Sequence, residues 1–369
     1  MVVVVSVALV PGTAAAWIPN DPGTKNVPGG WQQDQWNLLA GTGVDAPRAW
    51  DNLFRAGRPG GKGVKIAVLD SGVAYENRGG YKKSPDLKSI RFAKGYDFCP
   101  REGALADACA GGDAHPDDDL GHGTHVTSTI AETPNNGIAE TGLAYGATII
   151  PIKVLNRHGD GDEESISKGL RFAADHGAQI INMSFEFGSS TTSASEIPKI
   201  AAAVRYARRK GALIVGAAGN TADDHVAYPA ALPGVVSVGA VTAHGCLAEY
   251  SNTGSRLDLV APGGGGDAAL PGEPQCQPGG PDGNPILQLT YLGNRHTFGF
   301  PTDYVGTSMA TPHVAATAAL IIASGVLGKH PRAAAIERRL KTTARDLGPP
   351  GPDPEYGAGM VDAGAATAP

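Results

Sequence analysis

Nowhere in the 369 residues does an apolar run reach the roughly 18 needed to cross a membrane. An excess of basic charge is missing too. Thirty Lys and Arg (30) stand against 36 Asp and Glu, a net charge of −6, which argues against nucleic acid, whose recognition leans on clustered cations. Cysteine is scarce: the 4 that occur show no CxxC spacing and so do not read as a zinc site. Charged residues make up only 18% and hydrophobic ones 41%, ordinary globular usage that leaves no case for a disordered chain. What is abundant is glycine, 52 residues, about twice the usual share of roughly 7%, which implies many tight loops on a large core. The length allows two or three domains or one large α/β unit.

The first residues carry their own signal. Val2 to Val10, followed by Pro11-Gly12 and Ala14-Ala15-Ala16, has the length of a signal-peptide apolar region with a cleavage site near Ala16, although its basic leading segment is missing. The reading is a truncated signal over residues 1–16 and a secreted chain over 17–369; the alternative is a plain strand. The cysteines agree with export, because Cys99 with Cys109 and Cys246 with Cys276 bracket loop-rich stretches, and loop closure favours these two local pairs over the other connectivities. Four free thiols are the alternative.

Short apolar runs alternate with helical patterns. Lys65–Asp70, Thr148–Leu155, Gln179–Ser184, Ala212–Ala217, Val235–Val241 and Leu257–Val260 read as strands, and their near-continuous Ile, Val and Leu is the habit of a parallel sheet buried on both faces. His122–Ala131, Glu163–His176, Glu196–Lys210, Ser308–Ser324 and Arg332–Ala344 read as helices. The sum is an α/β fold, a doubly wound, mostly parallel sheet flanked by helices on both faces. The helix from Ser308 is apolar on nearly every side, so it is expected to run through the interior. Pro19–Gly30, Gly263–Pro285 and Pro349–Pro354 read as surface loops and not as domain joints, leaving one domain.

In such a sheet, ligands meet the carboxyl ends of the strands. There the sequence places Asp70 at the end of KIAVLD, His122 opening a helix in GHGTHV, Asn220 after ALIVGA, and Ser308 opening the buried helix in GTSMATPHV. Acyl transfer needs this set. A serine hydroxyl attacks well only when an imidazole takes its proton, and a buried carboxylate holds the imidazole's tautomer and stabilises the cation that forms. A helix N-terminus at Ser308 adds favourable dipole and N–H groups where an oxyanion develops, and Asn220 can supply a side-chain donor. Taken singly, Asp70 reads as a capped turn, His122 as a core histidine and Ser308 as an N-cap; the combination does not.

The segments VLDSGV, GHGTHV, AAGN and GTSMATPHV, in this order, resemble the subtilisin-like serine proteases, or subtilases, nearest to secreted bacterial thermitase- and subtilisin-like members. The order Asp, His, Ser separates them from chymotrypsin-like enzymes and from α/β-hydrolases, whose GxSxG elbow is absent here. PNDP at Pro19, QWNL at Gln35, APRAW at Ala46 and YGAGMVDA at Tyr356 look like further landmarks, so the similarity covers nearly the whole chain. The resemblance implies a three-layer sandwich and a monomeric serine endopeptidase acting on polypeptide substrates, with no membrane partner in the mature form. Asp70 would orient, His122 would act as base then acid, Ser308 would attack and Asn220 would bind the oxyanion, while Ser184, Phe185, Glu186, Gly159, Gly161 and Gly219 would line the substrate.

The sequence departs from the family in places. Asn182-Met183-Ser184-Phe185-Glu186 puts Glu186 where relatives carry a glycine lining the extended peptide, and Asp160, Asp162, Glu163 and Glu164 crowd the neighbouring loop. This acidic rim either favours basic peptides by charge complementarity or is a solvated surface. The prosegment usual in secreted relatives is not recognisable between Ala16 and PNDP, and Ala316 follows His313-Val314-Ala315 where glycine is common. No cofactor is expected in the chemistry. The loop 133–140, however, looks like one that binds structural calcium in thermitase-like members. By that likeness the ligands are the Asn136 side chain, the carbonyls of Thr133, Ile138 and Glu140, and the carboxylates of Asp21 and Asp86, an oxygen set suited to a hard cation. An unoccupied polar loop is the alternative. Asp113, Asp117, Asp118 and Asp119 form a second acidic run, read either as a further cation site or as solvated turns.

Overall fold

The computed structural model describes residues 17–99, 112–280 and 283–369. Within them β1 (Lys65–Asp70), β2 (Arg91–Phe92), β3 (Tyr96–Asp97), β4 (Thr148–Lys153), β5 (Ile180–Met183), β6 (Leu213–Ala217), β7 (Val235–Val241) and β8 (Leu259–Pro262) form one sheet. Its order is β2-β4-β1-β5-β6-β7-β8, with β3 also pairing β4, and every pairing is parallel. A small antiparallel pair, β9 (Thr290–Tyr291) and β10 (Phe298–Gly299), stands apart. From β1 the chain first builds outward to β4, then returns to the other side of β1 for β5. This reversal opens a crevice at the strands' carboxyl ends.

Helices α1 (Trp31–Asp34), α2 (Ala46–Arg55), α3 (His122–Ala131), α4 (Glu163–Asp175), α5 (Pro198–Arg209), α6 (Thr307–Ser324), α7 (Ala333–Thr342) and α8 (Ala363–Thr367) complete the fold. Strand period decides which face each side chain feeds. Ile66 and Val68 of β1 join Val126 of α3, Val314 and Leu320 of α6 and Leu340 of α7 in one core, whereas Ala67 and Leu69 join Leu170 of α4 and Val204 of α5 in the other. Helices therefore cover both faces. Along α6 only Ser308, Ile322 and Ser324 keep partial exposure, so this helix does run through the interior.

The strand and helix expectations hold to within a few residues. The expected start of β8 at Leu257 moves to Leu259: Ser237 of β7 donates its N–H to Asp258 Oδ2 and accepts the Asp258 N–H on its Oγ, both at 2.9 Å, so side-chain hydrogen bonds join Asp258 to β7 just before the ladder begins at Leu259. Helix α2 and the β9–β10 pair were not expected. Yet α2 buries Ala46, Ala49, Trp50 and Leu53, an i, i+3, i+4, i+7 stripe that was present in APRAWDNLFR. Cys246 and Cys276 form the expected disulfide. The other expected pair involves Cys109, and the leader call covers residues 1–16; both lie outside the described residues.

Candidate active site

Asp70 closes β1 fully buried, and its Oδ1 accepts from the Ser71 N–H and from His122 Nδ1, both at 2.7 Å. With Nδ1–H committed to the carboxylate, the imidazole presents its Nε2 lone pair. Burial works against a charged His122, but the charge and hydrogen bond of Asp70, joined by the charge of Asp118, outweigh it and raise the imidazole's pKa. Gly121 ahead of it has φ +101°, a conformation glycine adopts freely. Gly123 behind it is required for space: a Cβ there would lie 2.1 Å from the Gly72 carbonyl oxygen and 3.0 Å from the Asp70 Cβ. That close approach is what brings α3 against the end of β1.

Asp118 was read as part of a possible cation site, and the structure assigns it other work. It is buried, its Oδ1 accepts from Ser71 Oγ (2.8 Å), Leu120 N (3.0 Å) and Gly121 N (2.9 Å), and its Oδ2 accepts from Thr124 N (2.9 Å) and Thr124 Oγ1 (2.5 Å). One carboxylate thus ties the residue after Asp70 to the first turn of the histidine helix. Asp119 pairs with Lys153 and Arg295, each at 3.2 Å, and Asp117 with Arg78 at 3.3 Å. Arg78 also reaches Asp113 at 3.4 Å, so cationic side chains face three of the four acids of this run.

Ser308 is the second residue of α6, and no hydrogen-bond partner of its N–H occurs among the described residues. Its hydroxyl donates to the Ser184 carbonyl at 2.9 Å, and no hydrogen bond joins it to His122 among the described residues. A hydrogen bond from Ser308 to His122 would need the hydroxyl to rotate, a looseness common in serine sites before substrate binds. Asn220 is held by Thr307, whose N–H and hydroxyl donate to Asn220 Oδ1 at 2.8 and 3.0 Å. Sequence reasoning missed Thr307, although its place directly before Ser308 was the available signal.

The expected substrate residues are not all placed alike. Ser184 lies beneath Ser308, and Gly219, at φ +118°, follows β6 beside Glu186. Phe185 is buried with the α4–α5 core. Gly159 and Gly161 sit in the turn after β4, where Gly161 bridges Leu155. Glu186 is half-buried and turned inward: its carboxylate accepts from Asn220 N at 3.0 and 3.2 Å and from Asn220 Nδ2 at 3.1 Å.

The expected calcium donors converge elsewhere. Asp21 accepts from Asn135 N (2.8 Å) and Asn136 N (3.1 Å), while Asp86 accepts from Asn136 Nδ2 (2.6 Å) and Glu140 N (3.3 Å). Both acids are fully buried; burial, with the like charge of Asp21 adding to it, pushes Asp86 up to about 8. The carbonyls of Thr133, Ile138 and Glu140 accept no backbone hydrogen bond among the described residues. Buried acids short of positive charge beside free carbonyls fit a hard cation, with one adjustment: the Asn136 amide must turn its oxygen inward. Cys246, Asp267 and Cys276 also cluster, but the sulfurs are consumed by the disulfide.

The profile of the subtilase family (peptidase S8) matches residues 61–359, more than half of the chain. The thermostable alkaline protease of Halalkalibacterium halodurans is 36% identical over 309 residues, covering 83% of this chain and 68% of that protein. Subtilisin Savinase of Lederbergia lenta is 36% identical, covering 83% of this chain and 91% of its own. The solved structure of a protease from Pseudoalteromonas arctica PAMC 21717 superimposes with a TM-score of 0.73 at 30% identity, covering 95% of this chain and 98% of that one. With a parallel sheet wrapped on both faces and an acid, an imidazole and a hydroxyl at one edge of it, the chain belongs to the subtilase family, serine-type endopeptidases that hydrolyse peptide bonds without a catalytic cofactor.

Proposed function

We propose that this chain is a secreted, monomeric endopeptidase that cleaves internal peptide bonds through an acyl-enzyme on Ser308. The observation carrying the reading is the 2.7 Å bond from His122 Nδ1 to buried Asp70, at the same sheet edge as a hydroxyl on the first turn of α6. The Ser308 hydroxyl leaves the Ser184 carbonyl, passes its proton to His122 Nε2 and attacks the scissile carbonyl. The negative charge developing on that oxygen is met by the unpartnered Ser308 N–H and by Asn220 Nδ2, which Thr307 orients. His122 then gives its proton to the leaving amine, and water repeats the sequence to release the acid. Calcium stands outside these steps: held by Asp21, Asp86, Asn136 and the carbonyls of Thr133, Ile138 and Glu140, the ion would neutralise buried acids and pin the N-terminal segment to the loop after α3.

A fluorophosphonate probe tests the reading. Native protein is expected to label stoichiometrically, and Ser308→Ala and heat-denatured protein to remain unlabelled; in subtilisin, loss of the nucleophile costs about 2 × 10⁶ in kcat. Labelling that persists in Ser308→Ala, or casein products limited to terminal trimming, overturns it. For secretion, protein recovered from the culture medium should begin near Trp17.

A further inference from the structure

Glu186 is the site residue that the proposed catalytic steps leave without a task. It crosses from the end of β5 to the end of β6, with one or both carboxylate oxygens on the Asn220 N–H and Oε1 on the Asn220 amide nitrogen. The fit beneath it is close, since a Cβ on Gly219 would stand 2.6 Å from Glu186 Oε2. Among the described residues no Lys, Arg or His pairs with this carboxylate, and the charged neighbour that acts on it, Asp223, has the same sign. Burial, reinforced by Asp223, pushes the carboxyl up against the opposing hydrogen bonds from Asn220. An anion short of positive charge therefore rests on the very amide that must receive a second negative charge as the carbonyl oxygen is attacked.

We propose that Glu186 is a specificity-determining residue: its carboxylate occupies Asn220, and a cationic side chain on the substrate residue that supplies the attacked carbonyl relieves this by pairing with it. The inference rests on Ser308 and Asn220 acting as described above. Its geometry follows from covalent structure. The carbonyl oxygen that meets Asn220 Nδ2 is two bonds from the Cα of its own residue, so a Lys or Arg side chain starts beside the amide and can reach a carboxylate sharing it. Pairing neutralises the anion next to the developing oxyanion. A Met or norleucine side chain of similar length leaves the two negative charges facing each other, so the transition-state penalty lowers kcat, and the ion pair missing from the ground state raises KM.

The test uses two fluorogenic peptides identical except for Lys or norleucine immediately before the scissile bond, cleaved by the wild type, Glu186→Gln and Glu186→Gly. Each enzyme is first titrated with the fluorophosphonate probe, so that rates refer to active sites. The wild type is expected to favour Lys in kcat/KM by about tenfold or more, and both variants to bring the ratio near one, with kcat rising for the norleucine peptide. High salt should shrink the wild-type ratio and leave the variants' ratios unchanged. A ratio that survives both substitutions, or a wild type that prefers norleucine, overturns the inference; the second outcome does so even if a variant fails to fold. Complete titration with an unmoved ratio refutes this inference alone, whereas labelling that survives Ser308→Ala refutes the catalytic reading beneath it.

Discussion

At Asp70 and His122 a single hydrogen bond sets both tautomer and basicity. In the proposed mechanism His122 must be neutral to take the serine proton, so activity is expected to be lost as pH falls through its pKa, which Asp70 and Asp118 raise against the effect of burial. The acid limb of kcat/KM is therefore expected above the ordinary imidazole value, and Asp70→Asn should move it down while lowering kcat by about 10⁴, the loss this exchange causes in related chemistry. A pH–rate profile of both proteins checks the prediction; a wild-type limb at or below the ordinary value contradicts it. Asp70, His122, Asn220 and Ser308 were legible because each lies in a short segment whose neighbours carry the pattern. The role of Asp118 was not, since beside the local N–H groups of Leu120 and Gly121 its carboxylate also takes the Ser71 hydroxyl from just after β1, a partner 47 residues away that only folding brings to it.

Helix α3 shows how an element carries the proposed general base, His122, into place. Gly123 lets the helix touch β1, and a methyl group there would have to displace the Gly72 carbonyl, which is backbone and cannot swing aside. Gly123→Ala is expected to push the first turn of α3 off Asp70 and cut kcat/KM by about 10², the usual cost of a misplacement near 1 Å. Kinetics together with a thermal melt check this, and an alanine variant with wild-type kcat/KM would show that the contact has slack. At this scale the sequence was informative wherever periodicity was long. The buried character of α6 was visible in TSMATPHVAATAALIIAS, because a helix that is apolar all round has nowhere to lie but inside. Strands β9 and β10, two residues each, are too short to carry a period, although Thr290 Oγ1 holds the Gly121 carbonyl at 2.5 Å just ahead of His122.

For the molecule as a whole, the N-terminal segment, the turn at Asp86 and the loop after α3 meet around buried acids. Calcium is expected to raise the thermal midpoint with the logarithm of its concentration above Kd, through a stabilisation of about 2.7 kcal/mol at a hundredfold excess, and Asp86→Asn to abolish the response. Calorimetry with calcium and with chelator decides; equal midpoints would remove the ion. By itself the sequence determined the wound parallel sheet, since runs of Val, Ile and Leu buried on both faces admit few other arrangements, and it determined which groups stand at the strand ends, because those positions follow from chain order. Only the tertiary structure decided how the groups meet. Whether Glu186 faces solvent or Asn220, whether Asp118 binds a cation or clasps a helix, and which way the Ser308 hydroxyl points depend on distances between segments far apart in the chain, and a local pattern of residues carries no record of those distances.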